Sequence, residues 1–450
     1  MSKKRTIKKF SVLLSCVTLC GLLLAGCGGG TSESGKVSSS NSAGGSGEAS
    51  QEKVNLSLLI DSGQDTVNTA KALVEAFEAK YPNITIDTET RPGGSEGDNF
   101  VKTRLATEDM NDIFIYNSGS LLQALNPEKN LLDLTNEPFQ ANVIDSFKPT
   151  VSFNQKIYGA PVGSTMAGGW LYNKKVYAKL GLSVPKTWEE LKANNDKIKA
   201  AGITPIIGTF KDAWSSQMIV LADYYNVQAQ VPNFAADYTA NKAKFASTPA
   251  ALRSFQKLAD TVGYYNKDFL AATYDSGLKM LAEGKGAQYP MVSFAIPTII
   301  QNNPELIDDI GFFAQPGDQP DQNGATVWMP FAAYVYKNTE HAEEAKKFVN
   351  FIASIEGVEA ISKVSKPSGP YAIKGAALPS DTPQVVKDML PYFDEGKTAP
   401  ALEFLSPVKG PNLEQITVEV GAGKRNAADA AELYDKDVEK QAQQLGLEGW

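Results

Sequence analysis

The run from Val54 to Arg91 constrains the fold of this chain more than any other. "VNLSLLID" reads as a strand, and "DTVNTAKALVEAFEAKYPN" reads as a helix with Ala70, Leu73, Val74, Phe77 and Tyr81 on one face. "ITIDTETR" follows as a second strand, with Ile84 and Ile86 alternating against polar neighbours. Strand, helix, strand implies a parallel crossover unit and an α/β class. The alternation continues through a helix near Asn99 to Thr107, the strand "DIFIYN" and a short helix opening at Ser118. "SVPKTWEEL" marks another helix start, because Thr187 and Glu190 have capping-box spacing and Trp188, Leu191 and Ile198 share one stripe. "ITPIIGT", "GKGAQYPMVSF" and "ATVWMPFAAYVYKN" read as further strands, "TEHAEEAKKFVNFIASIEG" as a strong helix, and the tail from about Ser380 as mostly helical. There is no short repeat of the solenoid kind.

With 450 residues and 42% hydrophobic content, the chain can build one large domain or two ordinary lobes. Residues 1–26 stand apart from that body. Lys3, Lys4, Arg5, Lys8 and Lys9 form a basic head, and Phe10 to Ala25 is uncharged and largely apolar, the pattern of an export signal. At about 16 residues the run falls short of the roughly 20 that a spanning helix needs. It ends in "LAGC", Leu24 to Cys27, which resembles the lipobox of bacterial lipoproteins and implies a lipid on Cys27. An ordinary secretory cleavage site beside an unrelated cysteine is the alternative. Cys16, Cys20 and Cys27 are the three cysteines, so a chain starting at Cys27 has no disulfide. Residues 27–52 then comprise that cysteine and a Gly/Ser-rich stretch too polar to offset its ordering entropy, which reads as a flexible tether.

Removing residues 1–26 takes away five of the 43 basic residues and none of the 51 acidic ones, leaving a net charge of −13. That balance is a poor match for phosphate backbones, so the reading excludes nucleic acid as a partner.

Catalytic chemistry finds little support. The single histidine, His341, sits at the start of a helix beside Glu343 and Glu344, and no G-x-S-x-G segment is present for a serine nucleophile. Histidine zinc sites are unavailable and no calcium-loop pattern appears, so the reading names no catalytic residue, no metal and no cofactor. Paired carboxylates could serve a glycosidase, but most acids lie beside lysines on helix faces, as in "EELKANNDKIK". "RPGGSEGDNF" is glycine-rich but lacks the lysine and spacing of a phosphate loop, and reads as a mobile connection or a cleft rim.

At "GWLYNKKVYAKLGLSVPKTWEEL" the chain resembles the extracellular solute-binding proteins of ABC importers, in the carbohydrate-binding family that includes maltose-binding protein. The aromatic-Tyr-Asn-Lys element, the K-x-G-L and P-x-T-W-x-E-L runs, the lipobox and the late "EEAKKFVNFIAS" helix occur in the family's order. The resemblance implies a periplasmic-binding-protein-like fold of two α/β lobes with a ligand cleft between them and hinge crossovers. Lobe 1 would comprise 53–160 plus 332–372, and lobe 2 would comprise 161–331 plus 373–450 with the C-terminal helices. Crossings would fall near "IYGAPVG" and "WMPFAAY".

The same resemblance implies capture of a sugar or oligosaccharide, delivery to membrane permease subunits, attachment to the extracytoplasmic face of the membrane through the lipid, and a monomer. A pyranose needs flat aromatic walls for its C–H faces and planar polar groups for its hydroxyl rim. Trp170, Trp214 and Trp328 are candidates for the walls, each with a core alternative, whereas Trp188 reads as core and Trp450 as incidental. By position in the family pattern the polar and aromatic candidates are Asp61, Gln64, Asn117, Ser118, Ser164, Thr165, Ser293, Phe294, Ser368 and Tyr371. Asp61 and Asn117 have the alternative of capping turns. "MVSFAIP" stands where the family often has a Gly-x-Trp-like element; with Phe294 in place of that tryptophan the wall would be kept and the subsite would be smaller. Receptors for a polyamine or a peptide, and a cell-surface glycosidase, are the alternatives.

Overall fold

The computed structural model describes residues 53–450; the leader, Cys27 and the tether lie outside the described residues. Two sheets organise the chain. The first runs in the order Ile84–Arg91, Val54–Asp61, Ile113–Tyr116, Phe331–Val335, Gly159–Val162. Val54–Asp61 is parallel to both neighbours, as the strand-helix-strand run requires, while Phe331–Val335 returns antiparallel from late in the chain. The intervening helix Gln64–Lys80 buries Ala70, Leu73 and Phe77 against it. Phe77 also meets Phe348 edge-on at 4.9 Å, which ties this helix to Ala342–Ile352. Fully burying one such ring contributes about 1.5–3 kcal/mol.

The second sheet is built around Met166–Asn173, which pairs antiparallel with Gly286–Val292 on one edge. On its other edge Ile310–Ala314 and Ala325–Trp328 follow one another end to end. Thr204–Ile206 and Thr398–Pro400 complete it at the two sides. Side-chain alternation along Met166–Asn173 separates two cores: Trp170 packs into one with Trp188 and Phe313, and Leu171 into the other with Tyr289 and Phe312. The architecture is thus mixed α/β with a sheet in each of two lobes.

Local expectations hold in several places and fail in others for identifiable reasons. Thr187 caps its helix, its Oγ1 accepting from Glu190 N at 3.2 Å, but Glu190 returns its bond to Lys186 N. "ATVWMPFAAYVYKN" is not one strand: Pro330 lacks the N–H to continue a ladder, and the segment divides between the two sheets. "RPGGSEGDNF" is not an open connection either, since the helix Gly94–Ala106 begins inside it. The tail adds a strand, Thr398–Pro400, that its composition concealed.

The chain passes between the lobes three times. Gly163–Thr165 links Gly159–Val162 to Met166–Asn173, and Met329–Pro330 links Ala325–Trp328 to Phe331–Val335. The third passage lies between Ile373, in the lobe 1 core, and Val385, in the lobe 2 core, and the loop 367–371 that precedes it is bonded to the first. Thr165 donates to Pro370 O through both its amide (2.8 Å) and its hydroxyl (2.7 Å), and Ser368 N donates to Ser164 Oγ at 3.0 Å.

Candidate functional site

The crossings floor a cleft whose walls come from both lobes. Its larger compartment has a volume of about 710 Å³ and its smaller one about 360 Å³. Both are lined by Met166, Phe294, Pro330 and Phe331, so the two meet at that point. Lobe 1 contributes Asn117 and Ser118 from the carboxyl end of Ile113–Tyr116, the place where open α/β sheets present ligand groups.

Lobe 2 supplies aromatic faces from one end of its sheet. Trp328 pairs with Met166 in the ladder, and Phe294 follows two residues after Val292, the partner of Gly168. Phe294 is 37% exposed and Phe331, facing in from lobe 1, is 43% exposed; the two open rings line one cleft together, and grouped exposed apolar surface of this kind marks a binding groove. Behind Phe294 stand Trp214 at 5.8 Å and Tyr274 at 5.9 Å. Burial pushes the Tyr274 phenol up to about 12, so it stays a neutral hydroxyl throughout the physiological range.

Polar groups complete the walls. Ser118 Oγ from lobe 1 and Gln217 Oε1 from lobe 2 are buried without a hydrogen-bond partner, and both residues line the larger compartment. A buried polar atom left unpaired costs about 1–3 kcal/mol, which a hydroxyl-bearing ligand bonded to it would relieve. Glu403 and Lys409 also line this compartment and bond to each other, Nζ to Oε2, at 2.6 Å.

One segment, Leu402–Leu405, bridges the lobes beside this compartment. Leu402 and Leu405 pack on the lobe 2 core, whereas Phe404 packs on the lobe 1 core. Gly119, at φ 69°, makes the approach feasible: a Cβ there would sit 2.6 Å from Glu403 O.

The residues expected at the site divide by location. Asn117, Ser118, Phe294 and Trp328 line the larger compartment, and Ser164, Phe294, Ser368 and Tyr371 the smaller. The Tyr371 hydroxyl bonds Ser362 Oγ at 2.8 Å. Thr165 is fully buried and serves the crossing bond to Pro370 described above. Trp214 is half-buried in the row behind Phe294.

Asp61, Gln64, Trp170 and Ser293 are placed elsewhere than at the cleft wall. Asp61 caps the following turn, its Oδ1 accepting from Gly63 N at 2.8 Å, with Arg91 at 3.7 Å. Gln64 bonds Asn68 on an exposed helix start, and Asp65, Thr66 and Thr69 of the same helix line the smaller compartment instead. Ser293 is fully buried and accepts from Ala167 N at 2.9 Å. Trp170, expected at the cleft, is fully buried in the core, stacked on Phe313 and donating from Nε1 to Gln315 Oε1 at 2.6 Å. Position along the strand explains this: at about 3.3 Å per residue Trp170 lies about 13 Å from the cleft end at Met166.

Gln217, Glu403, Lys409 and Phe331 escaped sequence reasoning. Only Phe331 carried a local signal, since it immediately follows a proline at a crossing; the others reach the cleft from segments distant in sequence. Among the described residues no group of three or more His, Cys, Asp or Glu is arranged to hold a metal, and no helix is long and apolar enough to cross a membrane.

Comparison with known proteins agrees with this architecture. The chain is 27% identical over 345 residues to the multiple sugar-binding protein of Streptococcus mutans serotype c, covering 74% of this chain and 75% of that one. Among solved structures it resembles a chitin oligosaccharide binding protein (TM-score 0.71, 22% identity, 87% of this chain and 99% of the other). It also resembles a solute-binding protein in complex with raffinose (TM-score 0.69, 22% identity, 86% and 100%). Residues 61–359 match the family described as bacterial extracellular solute-binding protein, taking in most strands of both sheets and two of the three crossings, and the chain belongs to that family.

Proposed function

We propose that this protein captures a sugar or short oligosaccharide in the cleft by closing its lobes, and delivers it to the permease subunits of an ABC importer. The observation that carries the reading is the pairing of Ser118 Oγ and Gln217 Oε1, unpartnered on opposite lobes, with the exposed rings of Phe294 and Phe331 and the half-buried indole of Trp328. Aromatic faces suit the C–H surfaces of a pyranose, and the unpaired groups suit its hydroxyls. Relatives that bind raffinose, chitin oligosaccharides or multiple sugars, by their names, support the same ligand class.

A cationic ligand such as a polyamine fits less well. Of the two acidic residues on the larger compartment, Glu403 is bonded to Lys409, leaving Glu414, and Lys102 also borders it, so the wall offers no free pair of carboxylates. Ligand contacts from both lobes stabilise only the closed arrangement, so affinity includes the free energy of the open to closed balance. Micromolar capture corresponds to roughly −8 kcal/mol.

In this reading Cys27 carries the lipid, residues 28–52 hold the body off the extracytoplasmic face of the membrane, the protein works as a monomer, and no bond of the sugar is broken. Calorimetric titration with a panel of neutral mono- and oligosaccharides tests it: saturable binding without product supports the reading, and silence across the panel overturns it. Mass spectrometry of membrane-fraction protein tests the anchor, since an unmodified Cys27 would refute it.

A further inference from the structure

Glu403 stands out among the cleft residues because both its carboxylate oxygens are engaged. Trp328 Nε1 donates to Oε1 at 2.6 Å and Lys409 Nζ to Oε2 at 2.6 Å, and all three residues line the larger compartment. Burial pushes the Lys409 ammonium down, but Glu403, with Tyr434 and Glu414 behind it, more than offsets this and the Lys409 pKa is raised, so Lys409 stays charged at neutral pH. Charge-assisted bonds of this length are roughly twice as strong as neutral ones.

An indole has one donor and no acceptor, so Glu403 is the polar anchor for the orientation of Trp328. The opposite side of the ring rests on Gly168, where a Cβ would lie 2.3 Å from Cζ3. Glu403 itself is fixed from outside the indole, by Lys409 and by the seating of its own carbonyl against Gly119 of lobe 1. The bridging segment thus sets the carboxylate, and the carboxylate sets the ring.

We propose that Glu403 is a positioning residue for sugar binding: it holds the Trp328 indole against Gly168 as the lobe 2 wall of the larger compartment, and acts on the ligand through that ring. This deepens the sugar-binding reading and rests on it.

The test combines an indole spectrum with a double-mutant cycle. In the 1H–15N spectrum of the ligand-free protein, the Trp328 Nε1–H resonance is identified by its loss in Trp328→Phe. Glu403→Ala shifts it upfield and speeds its exchange, while Glu403→Gln, which keeps an acceptor oxygen, restores most of both. For the sugar that binds best in the panel, Glu403→Ala weakens affinity about tenfold and Glu403→Gln by less than about threefold. In a Trp328→Phe background Glu403→Ala adds less than about twofold, because the ring it acts through no longer donates. An unmoved indole resonance overturns the proposal, and so does an equal loss of affinity in both backgrounds, which would mean that Glu403 touches the sugar itself. If no sugar binds the wild-type chain, the sugar reading falls, and the indole resonance alone decides the positioning.

Discussion

Gly168 lies directly beneath the Trp328 indole, so close that a Cβ on it would come within 2.3 Å of the ring. The glycine leaves room for the six-membered edge of the ring against the central strand of the second sheet. Gly168→Ala therefore displaces Trp328 while leaving the backbone, which needs no unusual dihedral there, able to fold. Sugar affinity falls at least tenfold, about 1.4 kcal/mol, with a change in tryptophan emission and little loss of denaturation midpoint. Titration by fluorescence measures both effects together.

Trp170 gives the opposite pattern. Its ring is fully buried between Phe313 and Trp188, with its N–H held by Gln315. Trp170→Ala destabilises the protein by about 3–5 kcal/mol in urea denaturation. Sugar affinity of the fraction that remains folded stays within about twofold of wild type, because the ring does not reach the cleft.

The contact of Gly119 with Glu403 and Phe404 joins the lobes beside the larger compartment. Gly119→Ala places a side chain both at a positive φ and against Glu403 O, and Phe404→Ala removes the ring that packs on lobe 1. Each variant frees the bridging segment and increases the radius of gyration of the ligand-free protein in small-angle scattering. The alanine at Gly119 also costs more than about 1 kcal/mol in stability.

Asp112 links the lobe 1 strands. It accepts from Ser57 N and Ser57 Oγ, each at 2.8 Å, and from Thr339 Oγ1 at 2.5 Å. Burial pushes its carboxyl up, but these bonds, with Thr339 first, more than compensate and hold it below its ordinary value of 3.8. A carboxylate depressed in the folded state stabilises it above the unfolded value and loses that contribution as pH falls through the folded value. Asp112→Asn thus lowers stability by about 1–2 kcal/mol at neutral pH. The difference from wild type shrinks below pH 3.8, as chemical denaturation at several pH values would record.

Local periodicity carried the fold a long way. The stripe of Trp188, Leu191 and Ile198 is buried as its spacing requires, and the parallel pairing of Val54–Asp61 with Ile84–Arg91 follows from the helix between them. The site was less accessible. Asn117 and Ser118 were identifiable because a strand end fixes where they point, whereas parity along Met166–Asn173 told which residues share a face but not how far each lies from the cleft. Glu403 and Lys409 had no local mark, since their place depends on a tail segment packing across two lobes. The core partner of Trp170, Gln315, is 145 positions away and equally silent in sequence.

Isothermal titration of the purified protein with neutral mono- and oligosaccharides, paired with tryptophan emission and product analysis, tests the central claim most directly. The account predicts saturable one-to-one binding of at least one sugar, with an emission change that Trp328→Phe abolishes and with the sugar recovered intact. No heat and no emission change with any member of the panel, or steady release of a cleaved product, would contradict it.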